Sequence, residues 1–234
     1  MGNNAADRQE LAWLDSLRRE LALTTDKAAR TLWPSPEKGQ PAFFNYRLEH
    51  VRQVERDALS LLEKVGGDQE IVLASVWVHD WYQPLFFSPD HGLRAAAWAA
   101  ERLAERGFPP AKVDAVCFAV AVHSSEPGSI PSEAHEARLL WDADKLSHLG
   151  AHEVLTRMFN NLALDRLCAL CADPAFPEQT FTIRDLAQVR MRRLGEEVID
   201  TNRFYFAPSR AWGAERLHIQ KAFCASLCRQ VGLE

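Results

Sequence analysis

Six polar side chains are stranded on otherwise apolar stretches of this chain: His50, His79, Asp80, His91, His123 and Asp144. The pair His79-Asp80 is the sharpest case, because it closes the run Ile71-Val72-Leu73-Ala74-Ser75-Val76-Trp77-Val78. Burying an unpaired acid costs several kcal/mol, so something must compensate the Asp80 charge. A divalent cation does this well. Neutral imidazole and ionised carboxylate are both good ligands, and the carboxylate suits the harder ions. For the pair taken alone, a hydrogen-bonded histidine and a helix-end aspartate near the surface is the favoured reading, since His-Asp is common by chance.

The elements that must position these groups read as helices. Leu11, Trp13, Leu14, Leu17 and Leu21 recur at three- and four-residue intervals and predict an amphipathic helix from Arg8 to Leu23, broken by Pro34, Pro36, Gly39 and Pro41. A second helix is expected from Phe44 to Val65, with Leu48, Val51, Val54, Leu59 and Leu62 inward, His50 upon it, and Gly66-Gly67 stopping it. The third carries His79 and Asp80 at its C-terminal end, before a loop at Gln83-Pro84 and Ser88-Pro89. Asp90 suits the N-cap of a fourth helix, His91 to Arg106, and a fifth runs from Ala111 to His123. Glu133 to Trp141, the acidic step Asp142-Ala143-Asp144 and a helix through Leu146, Val154 and Leu162 follow, with further helices near 181–200 and 210–231. Nothing alternates with period two for long enough to make a sheet, so the fold class is all-α. Without an internal repeat or low-complexity linker, one domain over 1–234 is expected, with a core at about 44–160, an N-terminal helical extension and a C-terminal helical cover at about 161–234.

Bulk properties exclude several classes. With 47% apolar residues, 25% charged residues and a net charge of −5 over 234 residues, this is the composition of an ordinary globular protein. A pI near 5.9 argues against an extended nucleic-acid surface and leaves room for a local basic pocket. No leader-like apolar region follows Met1, no run is long enough for a membrane span, and Ala6 stands where a myristoylation motif wants Ser or Thr, so a cytoplasmic protein is expected. Cys117, Cys168, Cys171, Cys224 and Cys228 form no regular disulfide framework. The pairs Cys168/Cys171 and Cys224/Cys228 could build a zinc site, but helical spacing among Leu, Ala and Phe reads better as packed thiols.

In order and environment the set His50, His79-Asp80, Asp144 resembles the HD superfamily of metal-dependent phosphohydrolases, a helical-bundle family whose metal site is His, His-Asp and Asp. Asn45-Tyr46-Arg47-Leu48-Glu49-His50 and Leu139-Leu140-Trp141-Asp142-Ala143-Asp144-Lys145-Leu146 strengthen the match, which spans about residues 44 to 160. The resemblance implies a divalent metal ion, with Mn, Mg, Fe, Co, Ni and Zn not distinguishable, held by His50, His79, Asp80 and Asp144. In some members of the superfamily a second metal position is completed by histidines placed as His91 and His123 are, with the HD aspartate bridging, so the resemblance implies one ion or two. Asp80 and His123 are then the catalytic candidates, and a surface or phosphate-binding histidine is the plainer reading of His91 and His123. The implied activity is phosphoester hydrolysis on a nucleotide or other small phosphorylated metabolite, with water activated by the metal as nucleophile.

Arg47, one turn before His50, and Lys145, directly after Asp144, are candidates to hold a substrate phosphate, with surface ion pairs as the alternative. Asp142 is either a partner of a ligand histidine or a helix N-cap, the cap being favoured. His135, His148, His152 and His218 lie outside the motif and are expected to face solvent or satisfy local bonds; His148 and His152 share a helix face but have no third ligand nearby. The stretch around Asn202, Arg203 and Arg210 reads as an aromatic packing cover rather than a lid over the pocket. Two other functions compete: an HD-type di-iron oxygenase, which uses the six-ligand set, and a non-catalytic nucleotide-binding sensor, which an intact motif disfavours.

Overall fold

Asp68 starts the helix that carries the His79-Asp80 pair, its carboxylate accepting from the backbone N–H groups of Glu70 and Ile71. The computed structural model describes residues 12–82, 89–163, 183–188 and 199–233. The helices among them are α1 (Ala12–Leu32), α2 (Tyr46–Val65), α3 (Gln69–Val78), α4 (His91–Arg102), α5 (Val113–Val122), α6 (His135–Ser147), α7 (Gly150–Ala163), α8 (Ile183–Leu186) and α9 (Ala207–Gln230). No strand occurs among the described residues, so the chain is all-α. Among the described residues no helix is long and apolar enough to cross a membrane.

Every residue from Val72 to Val78 is buried, because α3 is apolar on all sides and must lie at the centre. It packs against α1, α2, α5 and α6, while α4 lies along α5 and α6 along α2. Asn45 caps α2 by accepting from Leu48 N–H and is itself tied to α1 through a hydrogen bond to Thr25. The chain reverses after α6 at Gly150, whose φ of +90° suits glycine, and whose Cβ position lies 3.2 Å from Arg216 Cβ.

Several boundaries differ from the sequence expectation. Helix α1 continues to Leu32, because Thr25 and Ala29 extend the inward stripe of Leu17 and Leu21 with small side chains that weaken the apolar periodicity in sequence. On α2 the inward apolar residues after Val54 are Ala58 and Leu61; Leu59 is outward and Leu62 is only partly covered. Asp142-Ala143-Asp144 is no step between helices but the buried interior of α6. The fourth helix ends at Arg102 and a 3-10 turn, Ala104–Arg106, completes it. Asp90 holds the N-cap position but makes no capping bond through its side chain. The loop at Gln83-Pro84, the pair Cys168/Cys171 and most of the helix expected at 181–200 fall outside the described residues. Cys224 and Cys228 are buried free thiols on α9, as packing cysteines should be.

Helix α9 is pinned by one arginine. Arg216 donates through Nη1 to Asp57 Oδ2 (2.7 Å) and to the Leu146 carbonyl (2.9 Å), and through Nη2 to Asp57 Oδ1, so it ties α9 to α2 and α6 together. Asp57 is 3% exposed, and truncating its partner leaves a buried charge without compensation. Arg216→Ala should therefore lower unfolding stability by roughly 1–3 kcal/mol, discounted because Arg216 itself is partly exposed. Urea midpoints of the two proteins check this, and equal midpoints would refute the pinning role.

Candidate metal centre

His79 and His123 occupy equivalent places: each is the C-cap residue of a helix that ends in an apolar run, α3 and α5. Each ring also turns back on its own helix. The Nδ1–H of His79 donates to the Val76 carbonyl at 2.7 Å, and that of His123 to the Val120 carbonyl at 2.6 Å. A carbonyl only accepts, so the proton sits on Nδ1 and the Nε2 lone pair faces inward. His50 reaches the same state through Ser147, whose hydroxyl donates to the Asp144 carbonyl (2.7 Å) and so accepts from His50 Nδ1 (3.2 Å).

These lone pairs converge with two carboxylates. His50 Nε2 lies 3.3 Å from His79 Nε2, 3.3 Å from Asp80 Oδ2 and 3.3 Å from Asp144 Oδ1. His79 Nε2 lies 3.6 Å from Asp80 Oδ2 and 3.9 Å from Asp144 Oδ1. The other oxygen of Asp80 faces the second pair, with Oδ1 3.4 Å from His91 Nε2 and 3.9 Å from His123 Nε2; those two nitrogens are 3.0 Å apart. All six side chains predicted from sequence are thus brought together, and Asp80 stands between two groups of donors.

Electrostatics agree with ligation. Burial pushes the imidazolium of His50 down to about 4 from the usual 6.5, and those of His79 and His123 to about 3, so all three are neutral near pH 7. Burial alone would raise Asp144, but Lys145 and the surrounding imidazoles hold it well below the ordinary carboxylate range. Two inward lone pairs 3.3 Å apart, on His50 and His79, have no proton to share and repel unless a cation lies near. The donor set therefore fits a divalent cation, held by His50, His79, Asp80 and Asp144, and a second at Asp80, His91 and His123.

One glycine makes the second group possible. A Cβ on Gly92 would meet the Val120 carbonyl oxygen at 3.0 Å and His123 Cε1 at 3.1 Å. Only a bare Cα lets the first turn of α4 approach α5 closely enough for His91 to face His123. Nothing in the sequence sets Gly92 apart, because its role depends on the neighbour it meets across the helix pair.

Arg47 and Lys145 both line the cavity beside these groups, which encloses about 380 Å³ and is also walled by Tyr46, Ser124, Arg157 and Asn160. Neither is a surface pair. Buried Arg47 donates to Asp80 Oδ2, and Lys145 Nζ lies 2.8 Å from Asp144 Oδ2. His148 also lines the cavity, with Nε2 3.6 Å from Asp144 Oδ1, correcting the expectation that it serves solvent or local bonds. It differs from His152, which turns away to Glu49; the turn at the α6–α7 junction, not helical spacing, decides where His148 points. His135 bonds the Gly66 carbonyl, as expected of a histidine outside the motif.

Asp142 serves neither role foreseen for it. Its two oxygens accept from the backbone N–H groups of Tyr205 (2.9 Å) and Phe206 (3.0 Å), fastening the approach to α9. Tyr205 in turn accepts through its hydroxyl from Gly128 and Ile130 N–H, Arg203 donates to the Pro127 carbonyl, and Arg210 to the Phe204 carbonyl. This stretch packs as a cover, and none of Asn202, Arg203 or Arg210 lines the cavity.

No protein-family model matches the sequence, and no curated protein matches it. Among solved structures, Bacillus subtilis YpgQ in complex with ADP is similar with a TM-score of 0.50 at 17% identity, over 92% of this chain and 96% of that one. The selenomethionine form of YpgQ gives 0.50 at 15% identity, over 92% and 95%. An HD-superfamily hydrolase from Bacillus thuringiensis gives 0.49 at 16% identity, over 93% and 100%. At such identities the likeness to YpgQ concerns the fold.

The buried histidines set a pH dependence for the metal-free protein. Their folded pKa values lie below the unfolded value of 6.5, so unfolding takes up protons and stability falls as pH drops from 6.5 towards 4. Each contributes up to about 1.4 kcal/mol per pH unit in that window. Glu153, held at about 2, extends the loss below its usual 4.5, whereas Asp142, pushed up to about 6 by burial, opposes it. Urea midpoints of chelator-treated protein should decline across pH 6.5 to 4; a flat or rising series would contradict neutral burial of these imidazoles.

Proposed function

We propose that the chain is a metal-dependent phosphohydrolase of the HD superfamily, acting on a nucleotide or another small phosphorylated metabolite. The observation that carries the reading is the placing of Asp80 between two groups of imidazoles, Oδ2 towards His50 and His79 and Oδ1 towards His91 and His123. A divalent cation bound there would supply Lewis acidity and make its water acidic enough to be a nucleophile near neutral pH. Asp80 and Asp144 provide the negative charge that holds it, and the helix-anchored Nδ1 protons keep His79 and His123 neutral donors.

The chain's own cations complete the site. Lys145 and Arg47 lie on the cavity wall within reach of the same carboxylates, and Arg47 keeps a buried Nε–H with no partner. An incoming phosphate can take these donors, Arg47 by its planar fork and Lys145 as a point charge, leaving the carboxylates to a cation. ADP in YpgQ, whose fold is similar, makes nucleotides the first class to test. The second group, His91 and His123, also supports the di-iron oxygenase reading; iron analysis of protein purified without oxygen separates the two.

Release of phosphate or pyrophosphate across a panel of nucleotides and sugar phosphates, with Mn, Mg, Co, Ni or Zn added, is the direct test, and silence throughout would sink the hydrolase. Asp80→Asn should cut kcat by more than about 100-fold, beyond the 10- to 100-fold typical of residues that only support a ligand. Lys145→Ala should raise KM by roughly 10- to 100-fold, the worth of one charged hydrogen bond, with a smaller effect on kcat.

A further inference from the structure

His148 stands at the cavity edge of the cluster, half-buried beside His50 and Asp144. It caps α6 one turn after Asp144, and its ring stacks on that of His50, with centroids 5.0 Å apart and planes 20° from parallel. Nδ1 faces Glu153 Oε1 at 3.7 Å, while Nε2 looks into the cavity towards Asp144 Oδ1 at 3.6 Å. Glu153 is no ordinary surface acid. It is 2% exposed and is gripped by Arg157, whose Nε donates to Oε1. The His148 ring thus stands between two carboxylates, with its Nδ1 making no hydrogen bond and its Nε2 turned to the same Asp144 oxygen that His50 and His79 face. Lys145 Nζ serves the other oxygen of Asp144, Oδ2, and leaves Oδ1 to the imidazoles.

We propose that His148 is a further nitrogen ligand of the cation held by His50, His79, Asp80 and Asp144, with Glu153 as the carboxylate that orients it. The proposal rests on the reading that this pocket binds a divalent cation. His50, Asp144 and His148 present donor atoms within 4.8 Å of one another, so the group is compact enough to share one ion. The carboxylate-to-histidine pairing supplies the outer support that ligand histidines have elsewhere, here from Glu153 where His79 and His123 use main-chain carbonyls. His148 differs in exposure: its side chain is 27% exposed against 5% for His50 and 0% for His79. It is therefore the ligand on the cavity side, where it limits how many positions substrate oxygens can take.

The test is Mn(II) binding to the full chain, measured by chelator competition, with pulsed electron paramagnetic resonance counting coordinated imidazole nitrogens. His148→Ala should bind Mn(II) about 10- to 100-fold more weakly and show one nitrogen fewer than the parent. Glu153→Gln, which keeps the shape but removes the orienting charge, should weaken binding in the same direction and retain the nitrogen. An unchanged nitrogen count in His148→Ala, with affinity within about twofold of the parent, overturns the proposal. A parent protein that binds no divalent cation overturns the metal centre and this ligand with it. A parent that binds Mn(II) yet hydrolyses no phosphoester leaves the ligand standing and removes only the hydrolase.

Discussion

A single buried carboxylate, Asp80, organises the molecule. It is 5% exposed, and its two oxygens face different partners, one pair of imidazoles from α2 and the end of α3, another from the start of α4 and the end of α5. A charge in that position is tolerated only with compensation, which here comes from the Arg47 guanidinium. Each helix that packs on α3 contributes either a donor to this cluster or the apolar surface that keeps water from it.

Placing the donors at helix ends settles two problems at once. The last turn of a helix leaves carbonyls without intrahelical partners, and His79 and His123 use such carbonyls to anchor their Nδ1 protons. The same bonds select the tautomer that a cation needs. Because α3 and α5 lie against each other, their ends bring the two rings together, with centroids 5.1 Å apart. The cost is stability: neutral imidazoles, facing lone pairs and buried acids are tolerated because the rest of the helical core is well packed.

Around this cluster the polar network is divided by task. Arg216 and Asp57 hold α9 against the bundle, Asp142 fastens the chain entering α9, and Lys145 with Arg47 balances the charge of the two carboxylates. Asp142 and Asp144 are two residues apart on α6 and so point in different directions, one to the cover and one to the cavity. The same acidic doublet thus serves architecture and chemistry through a turn of helical geometry.

What the amino-acid order determined by itself is the inventory and the helical class. Polar residues at the ends of apolar runs, such as His79-Asp80 and His123, are conspicuous because hydrophobic periodicity is a local property, and the all-α reading follows from the same signal. Features that depend on a distant partner were hidden. Asp142 looked like a cap because its real partners, the Tyr205 and Phe206 amides, lie more than sixty residues away. His148 looked peripheral because its setting is made by the turn into α7 and by Glu153 beyond it. Gly92 carried no message until His123 was seen beside it. Convergence of side chains on one point is a property of packing, and only the tertiary structure decides which of several stranded histidines share a centre.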